Sequence, residues 1–309
     1  MAARLGLGDL LRAAPRAVGR YTGTLLAVFV VETILAIACM VGIAALLAQA
    51  FSHLPMWDEA VDGDLYALLA CLRYAHAHVI GCIGIAFGTL LLWQLASWFL
   101  VGGTLGVLAR RPEGRSDTAR TFGASGAATY LAYARLALCS LPGLALVMFA
   151  FTIGWALAWP RVFQALTLPQ LFWPLALGLF PGVLLLHIVW TVTDYARVEL
   201  TLRNESHDPG AVMTYLRTIA FVLRRPVTLV HAGLGWFVFI IITAGYMFLA
   251  SGHPMFGAEG AVALFVIRQG VALARSTIRY GVLAGQIEIG RTRALPPRRL
   301  ESQSDSAKG

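Results

Sequence analysis

The sequence predicts an all-α polytopic membrane protein: six transmembrane helices with short cytoplasmic amphipathic helices, N-in and C-in. Three observations carry this. Of 309 residues, 58% are apolar and only 13% are charged, and the mean hydropathy of +0.72 lies far from that of a soluble domain. Six apolar runs, at 24–50, 79–101, 136–158, 171–193, 227–250 and 260–285, are long enough to cross a membrane, which takes roughly 20 helical residues. Finally, arginines gather in alternate connections: Arg4 to Arg20, Arg110 to Arg120, Arg197 to Arg225 and Arg291 to Arg299, with Lys308, whereas the opposite connections hold only Arg73 and Arg161. By the positive-inside rule, the arginine-rich side and both termini are cytoplasmic.

Lipid offers no partner to a backbone amide, so continuous apolar runs of this length are helices rather than barrel strands. The first run contains Ala48-Gln49-Ala50, which resembles a signal cleavage site. It is much longer than the roughly 7 to 15 residues of a signal core, so it reads as a retained span. Of the four cysteines, Cys39, Cys82 and Cys139 fall inside spans and Cys71 does not, a pattern that does not describe a disulfide framework. The net charge of +8 reads as attraction of the cytoplasmic face to anionic headgroups. It is not a nucleic-acid footprint, because no recognition motif accompanies it. The heavy use of alanine, glycine, arginine and leucine points to a bacterial source and hence the inner membrane.

The spans pair into three hairpin units, about 1–110, 111–200 and 201–295, within a single transmembrane domain; the polar tail 296–309 reads as disordered and cytoplasmic. Each unit opens on an amphipathic segment. In "HDPGAVMTYLRTIAFVLRRP", Asp208 is the expected N-cap, Pro209 suits the first turn, and Val212, Tyr215, Leu216, Ile219, Val222 and Leu223 recur at helical spacing. A second such segment opens the chain with Asp9 as cap, and a third begins at Ser116 or Asp117. The outer loop from Phe51 to His78 carries Asp58, Glu59, Asp62 and Asp64, and its "LYALLACLRYAHAHVIG" is expected to run on as a helix into the second span.

The sixth run, "FVIRQGVALARSTIRYGVLAG", holds Arg268, Arg275 and Arg279. At about 100° per residue, steps of 7 and 11 return to within roughly 20°, so the three arginines share one face. An arginine at a span centre costs about 2.5 to 3.5 kcal/mol on insertion scales, so the charge must meet a counter-ion, a ligand or water. Internal pairing is one reading. Glu32, the only acidic residue inside a span, lies about 12 Å from the cytoplasmic end, near the depth of Arg279. Asp194, Glu199 and Glu288 sit at inner span ends and serve the other arginines. An anion or phosphate-headgroup site is the second reading. A sixth span that ends early, leaving two arginines cytoplasmic, is the third.

Other residues carry less. His53, His76 and His78 accompany the acidic loop without the fixed ligand spacing of a metal site, and His187 and His231 read as helix-packing hydrogen-bond partners. Gly84, Gly88, Gly102, Gly103 and Gly106 permit close helix approach, and Trp57, Trp155, Trp159 and Trp173 mark an outer aromatic belt. There is no P-loop, no dinucleotide fingerprint, no zinc-protease motif and no nucleophile elbow. No catalytic residue, metal or cofactor is assigned.

"DYARVELTLRNES" followed by "YLRTIAFVLRRP", with "GGTLGVLARRPEG" after the second span, resembles uncharacterised bacterial six-span membrane proteins. Those are related to the membrane domain that precedes some glycerophosphodiester phosphodiesterases. The resemblance implies architecture and a role at phospholipid. It transfers no catalytic residue, since the phosphodiesterase domain has no counterpart here.

The function expected from the sequence is non-enzymatic: binding or handling an anionic lipid or other anion through Arg268, Arg275 and Arg279, with Glu32 as resting counter-ion. Its partners are membrane lipids, anionic phospholipid above all, and a partner membrane protein or second copy. The alternatives are a structural subunit of a membrane complex and an ion-coupled secondary transporter. The transporter would need broken helices, for which Pro142 and Pro181 are the candidate breaks.

Overall fold

The structure is a computed structural model that describes residues 7–51, 54, 59, 64–164, 167–203, 210–252 and 258–294. Its regular elements are all helices: α1 (Leu7–Arg20), α2 (Thr22–Phe51), α3 (Leu65–Tyr74), α4 (His76–Arg110), α5 (Arg115–Phe163), α6 (Leu168–Leu202), α7 (Ala211–Arg224), α8 (Pro226–Gly252) and α9 (Ala258–Ala294). Among the described residues five of them, α2, α4, α5, α6 and α8, are long and apolar enough to cross a membrane, and they mark a multi-pass membrane protein. The 37-residue α9 is long enough, but Arg268, Arg275 and Arg279 dilute its apolar run, and it is not one of the five.

Local sequence explains where the helices stop. Pro226 removes an amide donor and disfavours helical geometry in the residue before it, so α7 stops at Arg224 and its C-cap Arg225, with φ −127° and ψ 84°, is not helical. The segment from Ser116 to Leu136 has no such breaker, and there the expected separate amphipathic helix does not form. It is fused with the span behind it into one 49-residue helix, α5, about 74 Å long by helical rise. Two cap expectations are also corrected. Gly114 (φ 84°) is the N-cap of α5, so Ser116 and Asp117 lie inside its first turn; Asp9 likewise lies in the first turn of α1. Acidic residues there still complement the helix dipole. The expected cap Asp208 and its neighbour Pro209 fall outside the described residues, and α7 is preceded by Gly210 at φ 74°.

Between α2 and α4, Asp64 accepts from the amides of Tyr66 (2.7 Å) and Ala67 (3.3 Å) and so caps α3. α3 does not run on into α4, because Ala75 parts them. His53, Trp57, Asp58 and Asp62 lie outside the described residues, as does the tail 296–309. Among the described residues no three metal-ligating side chains come together. Both candidate breaks, Pro142 and Pro181, sit inside continuous helices.

The chain divides into two compact units, Met1–Leu25 with Val101–Gly309, and Leu26–Leu100. In the smaller unit α2 and α4 meet where Gly42 faces Ile85 and Gly81 faces Leu46, while Gly84 and Gly88 face open space. Phe51, Ala67, Cys71 and Ala75 form its core. Glu32 belongs to this unit.

The larger unit is organised by the α5/α6 hairpin, its most extensive helix pairing. The two backbones touch at Gly154 and Gly178, where a Cβ on either would overlap the other's carbonyl. Gly102, Gly103 and Gly106, at the end of α4, pack against Thr129, Phe122 and Ser125 of α5 as their spacing predicts. The core gathers Leu10, Leu136, Val192, Tyr195, Ala196, Tyr215, Val222 and Ile289 from α1, α5, α6, α7 and α9. Trp155, Trp159 and Phe163 stack in sequence along the C-terminal end of α5, with ring centroids 5.1 and 4.2 Å apart, and Trp173 lies exposed on α6.

Candidate anion site between α6, α8 and α9

The site is built around one carboxylate. Asp194 on α6 is only 4% exposed, and in a low-dielectric setting a buried carboxylate must be paired and hydrogen-bonded. It is. Helical spacing places Trp190 one turn before it and Arg197 nearly one turn after. The Trp190 indole N–H donates to Asp194 Oδ2 at 3.1 Å, and Arg197 Nη1 donates to Oδ1 at 3.2 Å. Arg279 Nη2, from α9, approaches the same Oδ1 at 3.6 Å. Arg279 is therefore the looser of the two cations on Asp194. In the structure Arg279 has Asp194 as a counter-ion; Glu32 belongs to the other compact unit.

An aromatic row carries the arginines outward. The Arg279 guanidinium lies 5.3 Å from the Trp190 ring centroid, and that of Arg275 lies 5.6 Å from the Phe239 ring. Trp236 bridges the two rings, 5.9 Å from Trp190 and 6.4 Å from Phe239. Such cation–π contacts supply about 0.5 to 2 kcal/mol each while leaving the N–H edges of the guanidinium free to donate. α8 reaches this close to α9 because Gly235 lacks a side chain: a Cβ there would come within 2.6 Å of Val282. Gly285 plays the same part in reverse, with the His231 ring 2.5 Å from where its Cβ would be.

Between these residues lies a cavity of about 80 Å³ lined by Trp190, Asp194, Trp236, Phe239, Arg275, Arg279 and Gln286, with Ala232, Gly235 and apolar residues of α9. Arg275 and Arg279, one turn apart, line it together. Arg268, on the same helical face, does not; it is exposed and takes part in no ion pair among the described residues. Gln286 is fully buried, and neither its Oε1 nor its Nε2 has a hydrogen-bond partner. A buried orphan amide costs about 1 to 3 kcal/mol. The sequence reading missed both this glutamine and the aromatic row. Gln286 stands one residue past the apparent end of the sixth run, where a polar residue draws no notice; its signal was the apolar company of Leu283, Ala284, Ile287 and Ile289.

Next to this site, toward the C-terminal ends of α6 and α9, a cavity of about 310 Å³ is lined by Tyr195, Glu199, Arg203, Phe221 and Gly290. Arg203 pairs with Glu199, and Thr218 donates to Glu199 Oε2 at 3.2 Å. Farther along α9, Glu288 takes Arg111 at 2.5 Å and Arg291 at 3.0 Å. Compared with known protein families, with curated proteins and with solved structures, the chain matches none.

Proposed function

We propose that this chain is a non-enzymatic protein of the bacterial inner membrane, spanning it six times with both termini inside, that holds an anionic lipid headgroup or another anion against Arg275 and Arg279. One observation carries the reading. Two arginines of one helix face converge on a single cavity whose only carboxylate, Asp194, is already engaged by Arg197 and Trp190. Arg275 and Arg279 line the cavity against the single carboxylate of Asp194, so its walls carry an excess of positive charge. Guanidinium groups answer that excess best with an oxyanion, which their planar forks bind through charge-assisted pairs. A role at phospholipid is also what the sequence resemblance implies.

A structural subunit is the second reading, and α7 favours it. Thr214, Tyr215, Thr218 and Val222 are buried, while Val212, Leu216 and Leu223 form an exposed apolar stripe beside Arg217 and Arg224. Such a helix suits a leaflet surface or a partner protein. Ion-coupled transport has no comparable support, because the helices run unbroken through the prolines that it would use.

Native mass spectrometry of the detergent-extracted protein separates the first two. Wild-type protein is expected to retain an anionic lipid or solute and Arg275→Ala to lose it with unchanged folding. Retention of nothing by well-folded wild type would remove the first reading; an assembly defect in Arg275→Ala with no bound anion would leave the second.

A further inference from the structure

Taking that anion site as given, we infer that its ligand is a phosphate ester with a hydroxyl group beside the phosphate, either the head of a polyol-linked phospholipid or a soluble ester of the same chemistry. Size limits the choice first. A cavity of about 80 Å³ is far below the roughly 300 to 1,000 Å³ of pockets that enclose whole small molecules. It admits one compact group, so any tail lies outside it.

Charge limits it next. Both Asp194 oxygens are occupied, Oδ2 by the Trp190 indole and Oδ1 by Arg197 and Arg279. A ligand ammonium would find no free carboxylate here and would meet Arg275 and Arg279 instead. The head is therefore anionic and without a compensating cation. Arg279 is free to turn toward it, because Asp194 keeps Arg197 and Trp190 when the 3.6 Å contact opens.

Gln286 supplies the decisive limit. Its amide presents donors at Nε2 and an acceptor at Oε1, both buried and both without a partner. A phosphate oxygen satisfies the donor. The acceptor needs a proton donor, which an ionised phosphodiester, a carboxylate or a halide lacks and a hydroxyl on the adjacent carbon has. One ligand edge carrying an anionic oxygen and a hydroxyl would give both Gln286 amide atoms a partner.

The test compares two lipids of equal charge, phosphatidylglycerol and the hydroxyl-free phosphatidylethanol, bound to the full chain in uncharged detergent. Binding is read by native mass spectrometry and by the shift in unfolding temperature. Phosphatidylglycerol is expected to bind wild type about tenfold more tightly, the factor that one ordinary hydrogen bond supplies. Gln286→Leu should bind the two equally, and without lipid should unfold at a higher temperature than wild type because an orphan amide is gone. Glycerol 3-phosphate in a parallel arm tells the sources apart: a shift matching that of phosphatidylglycerol assigns a soluble ester, and no shift assigns the lipid. Equal binding of both lipids by wild type, lost in Arg275→Ala, would overturn the hydroxyl while leaving the anion site standing; it would mean that Gln286 is served by a trapped water. Binding of neither lipid and no shift with glycerol 3-phosphate would overturn both.

Discussion

Asp194 and Glu288 are each a carboxylate held by two arginines, and the contrast between them separates a site from a brace. At Glu288 both arginines make direct hydrogen bonds. Arg111 and Arg291 both reach Oε1, and the second arm of Arg291 donates to the carbonyls of Ala109 (2.5 Å) and Leu108 (3.3 Å), the last acceptors of α4. This is how a helix end with unsatisfied carbonyls is closed. At Asp194 the carboxylate is more deeply buried, one of its arginines is held loosely, a third arginine stands nearby, and an amide beside it has no partner. Equal charge counts thus serve different ends. What distinguishes them is the buried Gln286 amide left without a partner at the Asp194 site.

Substitutions sharpen that contrast. The largest expected effect is from Asp194→Ala, which leaves the 12%-exposed Arg197 side chain facing Arg279 without a counter-charge. Removing one partner of a buried pair costs about 3 to 5 kcal/mol, measurable as loss of stability to added dodecyl sulfate in mixed micelles. A loss under about 1 kcal/mol, the value for a solvated pair, would show that Asp194 is no better shielded than Glu288. Arg291→Ala comes next: freeing the Leu108 and Ala109 carbonyls should cost about 1 to 3 kcal/mol, and lysine should restore only part of it because it has no fork. Glu288→Gln, at a carboxylate 30% exposed, should cost about 1 kcal/mol or less and leave anion retention intact. The smallest effect is expected from Arg268→Ala, within about 0.5 kcal/mol and without change in bound anion. A loss of anion there would extend the site along the whole arginine face.

The sequence made the outline of this contrast visible and hid its centre. Apolar run length gave six spans, five of which are helices long and apolar enough to cross a membrane, and the spacing of Arg275 and Arg279 placed them on one face. Those are properties of a single helix, readable from periodicity. The partner of Arg279 was not of that kind. Helical rise gives depth alone, whereas the pairing with Asp194 depends on α6 lying against α9, a fact that no local pattern encodes. The same holds for Trp190, Trp236 and Phe239, which come from two helices and form a row only once these pack through Gly235. The break before α8 was legible because Pro226 enforces it; the absence of a break inside α5 was not, since amphipathic and apolar stretches join without any signal when nothing interrupts them.

The methyl-free contact of Gly154 with Gly178 also limits how the molecule can move. Displacing α5 by one turn either way would press Ala150 or Ala158 onto the Gly178 carbonyl, where only a hydrogen fits. That hairpin is a fixed rail. The contact of α8 with the arginine-bearing helix is held close in the same way, at Gly235 and Gly285.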